Sequence, residues 1–277
     1  MARFLIVGGS GFLGSELVRM CAAAGHEVGA TYLTRPGERP GVAWLALDVR
    51  SRADVVAAAR AFRPEVTINA AYRQADWAST ADGAAHVAVA VAGAGGRLVH
   101  VSSDVVFSGT AHSYDETAVP DPVSPYGAAK AAAETAVRAV IPEAVIARTS
   151  LIVGHGTSPH EALVRDLATG RRDGVLFTDD VRCPVHVTDL AAALLEAGLG
   201  GGPGIWRLAG PDALTRYERG VLIARRDGLD PTRLRPGRRA DTPLPGPYTL
   251  RLDSTATRHR LQTRLRGAHE FLTPPPS

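Results

Sequence analysis

The feature that most restricts this chain is a regular alternation, over residues 1–150, of short apolar runs with alanine-rich stretches. The FLIV of Arg3 to Val7 is apolar throughout, as a strand covered on both faces must be. A helical stretch from about Phe12 to Ala24 follows, then the strands HEVGATYL and VAWLAL, a helix from about Arg52 to Phe62 and the strand VTINAA. A helix over roughly Thr80 to Ala92, the strand RLVHVSS, a loop to Pro122, a helix through Lys130 and the strand AVIARTS complete the series. Strands of this kind, separated by helices, predict an α/β fold on a doubly wound parallel sheet. After Ser150 the alternation weakens, and Gly and Pro cluster at 198–204 and 236–247. The expectation is a main domain over 1–150 and a smaller lobe over 151–277, with residues near 181–200 packing back on the main domain.

With 277 residues, 45% of them hydrophobic, the chain can bury a sizeable core. No apolar run reaches the roughly 18 residues of a membrane span, and MARFLIVGG enters a strand without a signal-peptide pattern. Two cysteines, Cys21 and Cys183, are too few for a disulfide framework. These features predict a cytoplasmic protein without membrane partners. Residues 1–200 carry 17 basic and 21 acidic side chains, and residues 201–277 carry 14 and 7, so the last segment is +7 against −4 for the rest. No aromatic-interleaved basic stripe or nucleic-acid motif accompanies that charge, which fits an anionic small molecule better than nucleic acid. A solvated, arginine-rich surface is the other reading.

Between the first strand and first helix stands VGGSGFLG, with Gly8, Gly11 and Gly14 in a G-x-x-G-x-x-G pattern. Glycines there let a tight turn and the helix N-terminus, Phe12 and Leu13 included, approach a pyrophosphate, the signature of a Rossmann dinucleotide site. The second strand ends TYLTRPGER, with no acid before Glu38 to accept from a ribose 2′-hydroxyl. Arg35 can hold a 2′-phosphate instead, which points to NADP(H) over NAD(H); Arg39, or a mere surface charge at Arg35, stay open. Asp48 and Val49 close the next strand, where Asp48 could accept from an adenine amino group, and Asn69, Ala70 and Ala71 close the fourth, where small residues let a cofactor pass.

With these glycines, INAAYRQADWA, VSSDVVFSG, YDETAVPDPVSPYGAAK and CPVHVTDLAAALLE in order, the chain resembles the extended short-chain dehydrogenase/reductase superfamily, and within it the dTDP-4-dehydrorhamnose reductase family. The resemblance implies a reductase of a keto group on a nucleotide-activated sugar, using NADP(H). Other extended members, a sugar epimerase, a reductase of a non-nucleotide carbonyl or a non-catalytic NADP-binding regulatory subunit, are the alternatives, and a homodimer is implied as possible. It also assigns Ser103, Tyr126 and Lys130 as catalytic, with Tyr126 and Lys130 touching the cofactor as well.

Tyr126 and Lys130 are four apart, hence on one helix face. Lys130 is the one lysine in a chain with thirty arginines. A compact ammonium can hydrogen-bond a ribose while favouring the Tyr126 phenolate, whereas guanidinium is a planar fork that does not release its proton. Ser103 matches the position that polarises the substrate carbonyl; strand alternation turns the neighbouring Ser102 the other way. Asp104 orients substrate hydroxyls or caps the turn, and Arg182 is the candidate to grip substrate phosphates. Cys183 and His186 lack the further ligands of a zinc site, so no metal is expected. His100 reads as a core histidine, whereas His155 and His160 flank a loop that could reach substrate. Departures from the family lie at Val105, Ser108 and Leu151, and at Asp82, which stands where an Asn is usual.

Overall fold

The computed structural model describes residues 1–243 and 246–273. In chain order the first part forms β1 (Arg3–Val7), α1 (Phe12–Ala23), β2 (Glu27–Tyr32), β3 (Ala43–Ala46), α2 (Arg52–Phe62), β4 (Val66–Asn69), α3 (Gly83–Ala94), β5 (Arg97–Ser103), α4 (Pro125–Val140) and β6 (Val145–Thr149). The second part forms β7 (Ile152–Val153), α5 (Pro159–Ala168), β8 (Leu176–Phe177), β9 (Val181–Arg182), β10 (Val185–His186), α6 (Val187–Gly200), β11 (Gly204–Leu208), β12 (Leu214–Thr215), α7 (Arg216–Arg226), β13 (Pro236–Gly237), α8 (Thr255–Arg260) and α9 (Ala268–Leu272).

Seven strands make one sheet in the order β11-β6-β5-β4-β1-β2-β3. Every neighbouring pair is parallel. The order reverses direction between β1 and β4, which opens a crevice beyond their carboxyl ends where such sheets bind ligands. One face is covered by α1 and α6, whose Leu17, Val18, Leu190 and Leu194 pack on Phe4, Ile6, Val99 and Val101. On the other face α2, α3 and α4 pack through Val55, Val87, Val91, Ala133 and Val137 on Leu5, Val7, Leu98 and Ile146. Alternate residues of β5 thus belong to opposite cores, as a strand buried on both sides requires. Chain return to the sheet runs farther than the expected stretch near 181–200, because β11 adds a seventh strand and Trp206 and Leu208 join the first core.

The remaining lobe packs α5, α7 and α9 around Val164, Leu176, Ile223 and Leu272. No helix among the described residues is long and apolar enough to cross a membrane.

Candidate active site

Two local sequence features aim this site. At the first turn Gly8 takes φ +82°, and a Cβ there would come within 2.9 Å of the Ala71 backbone. A Cβ on Gly14 would sit 2.1 Å from the Gly8 carbonyl, so α1 can enter this close to the turn only with hydrogen at that position. Gly11 caps α1 without a side-chain acceptor, which leaves the first-turn amides of α1 pointing into the crevice. At the second feature, Ser124 accepts from the Gly127 amide at 3.1 Å and Pro125 starts α4. A Cβ on Gly127 would lie 2.2 Å from the Val105 carbonyl, so this glycine lets α4 lie against the end of β5 and brings Tyr126 to Ser103.

Between the two features a cavity of about 390 Å³ is lined by Gly11 to Gly14 and by Ser103, Asp104, Tyr126 and Lys130, with Arg182 and Arg216 on the lobe side. The sequence-derived catalytic residues therefore meet in one space with the glycine turn. Lys130 is buried, and its Nζ donates to the Val101 carbonyl at 3.0 Å. The Tyr72 ring sits 5.1 Å from that nitrogen and 5.8 Å from the Tyr126 ring. Burial lowers the Lys130 ammonium to about 8, with Glu134 opposing the change.

Burial governs the acidity of Tyr126. Burial, then Tyr72 and Asp104, push its phenol well above the usual tyrosine range, while Ser103 acts in the opposite sense. Desolvation thus outweighs the favour that an ammonium gives a phenolate, because this ring is enclosed by groups that disfavour negative charge. A neutral phenol is also the form that can give up a proton.

Asp104 is buried, and burial raises its carboxyl against the opposing pull of Arg182 and Ser150. Its Oδ2 accepts from the Ser150 hydroxyl at 2.6 Å, and its Oδ1 accepts from Ser103 at 3.2 Å. Arg182 lines the cavity, yet its guanidinium is almost wholly committed. It pairs with Asp180 at 2.6 Å and with Asp104 at 3.7 Å, and donates to the carbonyls of Val181, Tyr248 and Pro247. A cation tied this way is a brace between β9 and the segment near Pro247, which corrects the expectation of a free phosphate grip. Arg216, at the start of α7, also lines the cavity, is 25% exposed and pairs with Asp180 at 2.5 Å. Sequence reading missed it, since no motif marks the lobe and its placement depends on β9 pairing with β12. Tyr72, within INAAYRQADWA, lines the cavity as well, and no sequence signal marks it for a role there.

Beside the glycine turn lies a second cavity of about 490 Å³, lined by Gly9, Ser10, Arg19, Arg35, Arg39 and Trp44 among others. Arg35 and Arg39 both face it. Glu16 is bound there to Arg19 and to the Thr188 hydroxyl, each at 2.7 Å, and is held at about 2, chiefly by Arg19. Asp48 and Val49 stand apart from the residues lining both cavities. Asp48 grips Arg50, while the Val49 carbonyl pairs with His86 and its side chain packs where a Cβ on Gly83 would be. Asn69 accepts from the Ala71 amide at 3.1 Å and meets His100 at 3.3 Å, so it shapes the turn after β4, and Ala70 is the residue that faces the cavity.

The weaker candidates separate. His100 is buried, as expected of a core histidine. His160 lines the cavity, held neutral at about 3 by burial and by Arg219 and Arg216, whereas His155 lies 3.5 Å from Glu16. Cys183 packs with Phe107 and Leu250, and His186 caps α6 through Thr188. Asp82 is exposed at the end of a π-helical turn over Ala78–Asp82 and does not enter the site.

A profile of the RmlD substrate binding domain matches residues 2–273. The dTDP-4-dehydrorhamnose reductase of Mycobacterium tuberculosis H37Rv is 33% identical over 265 residues, covering 88% of this chain and 82% of that protein. The dTDP-4-keto-6-deoxy-D-glucose reductase of Streptomyces niveus is 30% identical over 247 residues, covering 84% and 82%. Among solved structures, that of dTDP-4-dehydrorhamnose reductase from Bacillus anthracis in complex with NADP superposes with a TM-score of 0.84 at 21% identity, covering 98% of this chain and 97% of that one.

Proposed function

Because the chain belongs to the RmlD substrate binding domain family, we propose that it is an NADPH-dependent reductase of a keto group on a nucleotide-activated sugar. The observation that carries this reading is the convergence of Ser103, Tyr126 and Lys130 with the glycine turn in one cavity at the sheet's carboxyl edge. The residues present fit a dinucleotide. Gly8 and Gly14 leave no room for side chains, the first amides of α1 are uncapped, and Arg35 and Arg39 line the neighbouring cavity, where they would hold a 2′-phosphate. When bound, NADPH supplies the hydride. The hydroxyl of Ser103 polarises the substrate carbonyl, and the Tyr126 phenol donates the proton that the reduced oxygen needs. Lys130, an ammonium below about pH 8, steadies the phenolate left behind and returns its proton. Asp104, held by Ser150, orients the sugar. On the lobe side Arg216 takes the diphosphate, helped by the cationic segment to which it belongs, with Arg182 bracing the wall behind it. Val105 and Leu151 make the sugar wall apolar.

The reading is tested by following NADPH absorbance with dTDP-4-keto-6-deoxyglucose and the corresponding rhamno-configured ketone as substrates. Stoichiometric NADPH oxidation is the expected result. A protein that binds NADPH but oxidises none with any 4-keto nucleotide sugar would contradict it.

A further inference from the structure

Helix α4 carries a second buried polar group, besides Lys130, on the face of Tyr126 and Lys130. Glu134 stands four residues beyond Lys130, is 3% exposed, and has no part in the reaction outlined above. Its carboxylate accepts from the Ser102 hydroxyl at 2.5 Å and from Arg148, by Nη2 at 2.7 Å and by Nε at 3.0 and 3.2 Å. Ser102 directly precedes Ser103 at the end of β5, and Arg148 lies on β6 two residues before Ser150, the partner of Asp104. Arg148 is itself fixed, donating to the Ala118 carbonyl at 3.0 Å and lying 5.0 Å over the Phe107 ring. One carboxylate thus joins the helix that bears the proton donor to β5, which ends at Ser103, and to β6, which leads to Ser150.

We propose that Glu134 is a positioning residue of this active site, which fixes α4 against β5 and β6 through Ser102 and Arg148 and sets its carboxylate one helical turn from the buried Lys130. The proposal rests on the catalytic reading of Tyr126 and Lys130. Groups facing Lys130 are Glu134 on α4, His100 and the Val101 carbonyl on β5, and the Tyr72 ring after β4, with Tyr126 lining the same cavity. Glu134 is the carboxylate among them, and it opposes the loss of the Lys130 proton. The groups facing Glu134 are Ser102 on β5, Arg148 on β6, Lys130 on its own helix, and Arg207 on β11, a buried guanidinium without a hydrogen-bond partner among the described residues. Several cations therefore converge on one carboxylate in a desolvated layer beneath the site. Removing its charge leaves Lys130 with burial and no compensating anion, so its proton is lost at lower pH.

Lys130 is the chain's one lysine, so lysine labelled with ¹³C at Cε gives a single side-chain NMR signal whose titration follows this ammonium directly. The expected result is a wild-type midpoint near 8 and a midpoint lower by roughly one pH unit in Glu134→Gln. The alkaline limb of kcat should move by the same amount. Ser102→Ala, which keeps the charge, should leave midpoint and limb in place and lower kcat with little change in KM. If Glu134→Gln does not fold, Glu134→Asp serves, with a retained midpoint and reduced kcat expected. An unmoved midpoint in Glu134→Gln, or a moved one in Glu134→Asp, overturns the proposal. Because the titration needs no substrate, failure of the reductase reading would appear separately, as absent NADPH oxidation in the wild type.

Discussion

Lys130 shows at the scale of one residue why composition and chemistry must be weighed together. Its burial costs stability, since burial lowers the ammonium from 10.5 to about 8. The folded chain then binds fewer protons than the unfolded chain between these values, so this group destabilises below about pH 8 and its penalty is relieved as pH rises toward 10.5. Lys130→Met should accordingly raise stability at pH 7 by about 1–3 kcal/mol, measured by denaturant unfolding, while abolishing reduction. Lys130→Arg should keep the fold and lower kcat by roughly 10²- to 10⁴-fold, because a guanidinium holds its proton and does not fit the compact site. Near-normal turnover in that variant would rule out the proton-return role. The common face of Lys130 and Tyr126 was legible in the sequence, because a four-residue spacing on one helix fixes it, whereas their roles came from the family resemblance. The acidity of Tyr126 was not legible, because it depends on how tightly Tyr72 and Asp104, distant in sequence, close around the ring.

At the scale of elements, the turn between β1 and α1 was fully legible, since its geometry is set by three glycines within seven residues. Gly14→Ala should lose NADPH binding outright, because the added carbon would fall 2.1 Å from the Gly8 carbonyl; an unchanged cofactor titration would show that α1 can shift to make room. Under the proposed function, Arg35 just beyond β2 decides cofactor choice. Arg35→Ala should reduce kcat/KM with NADPH about 10- to 100-fold while sparing NADH, the size of one charge-assisted contact. Less was legible at the ends of β3 and β4. Asp48 and Asn69 have the residue types of cofactor contacts, yet Asp48 closes on Arg50 and Asn69 on its own turn, and strand-end residues of both kinds look alike in sequence.

Across the whole molecule, the sheet half was readable and the lobe was not. Alternation of apolar strands with helices is a local signal, whereas the lobe is assembled from two-residue strands and ion pairs between distant segments. The strand β11 escaped notice because GIWRL sits among glycines and prolines that read as a loop. Likewise, whether Arg182 or Arg216 is free to meet a ligand depends on Asp180, Tyr248 and Pro247. The two arginines should therefore respond in opposite ways. Arg182→Ala should destabilise the fold by about 3–5 kcal/mol by leaving Asp180 and Asp104 short of a buried partner, whereas Arg216→Ala should cost about 1.5–3 kcal/mol of dTDP affinity in calorimetric titration.

The central claim, hydride delivery to a keto sugar bound against Ser103 and Tyr126, is tested most directly by isotope transfer. The enzyme would be given NADPH deuterated at the transferable position of the nicotinamide together with a dTDP-4-keto-6-deoxy sugar, and the product analysed by mass spectrometry and NMR. The account predicts one deuterium on the former carbonyl carbon for every NADPH consumed. A product without deuterium, or a recovered sugar with no net loss of NADPH, would contradict it.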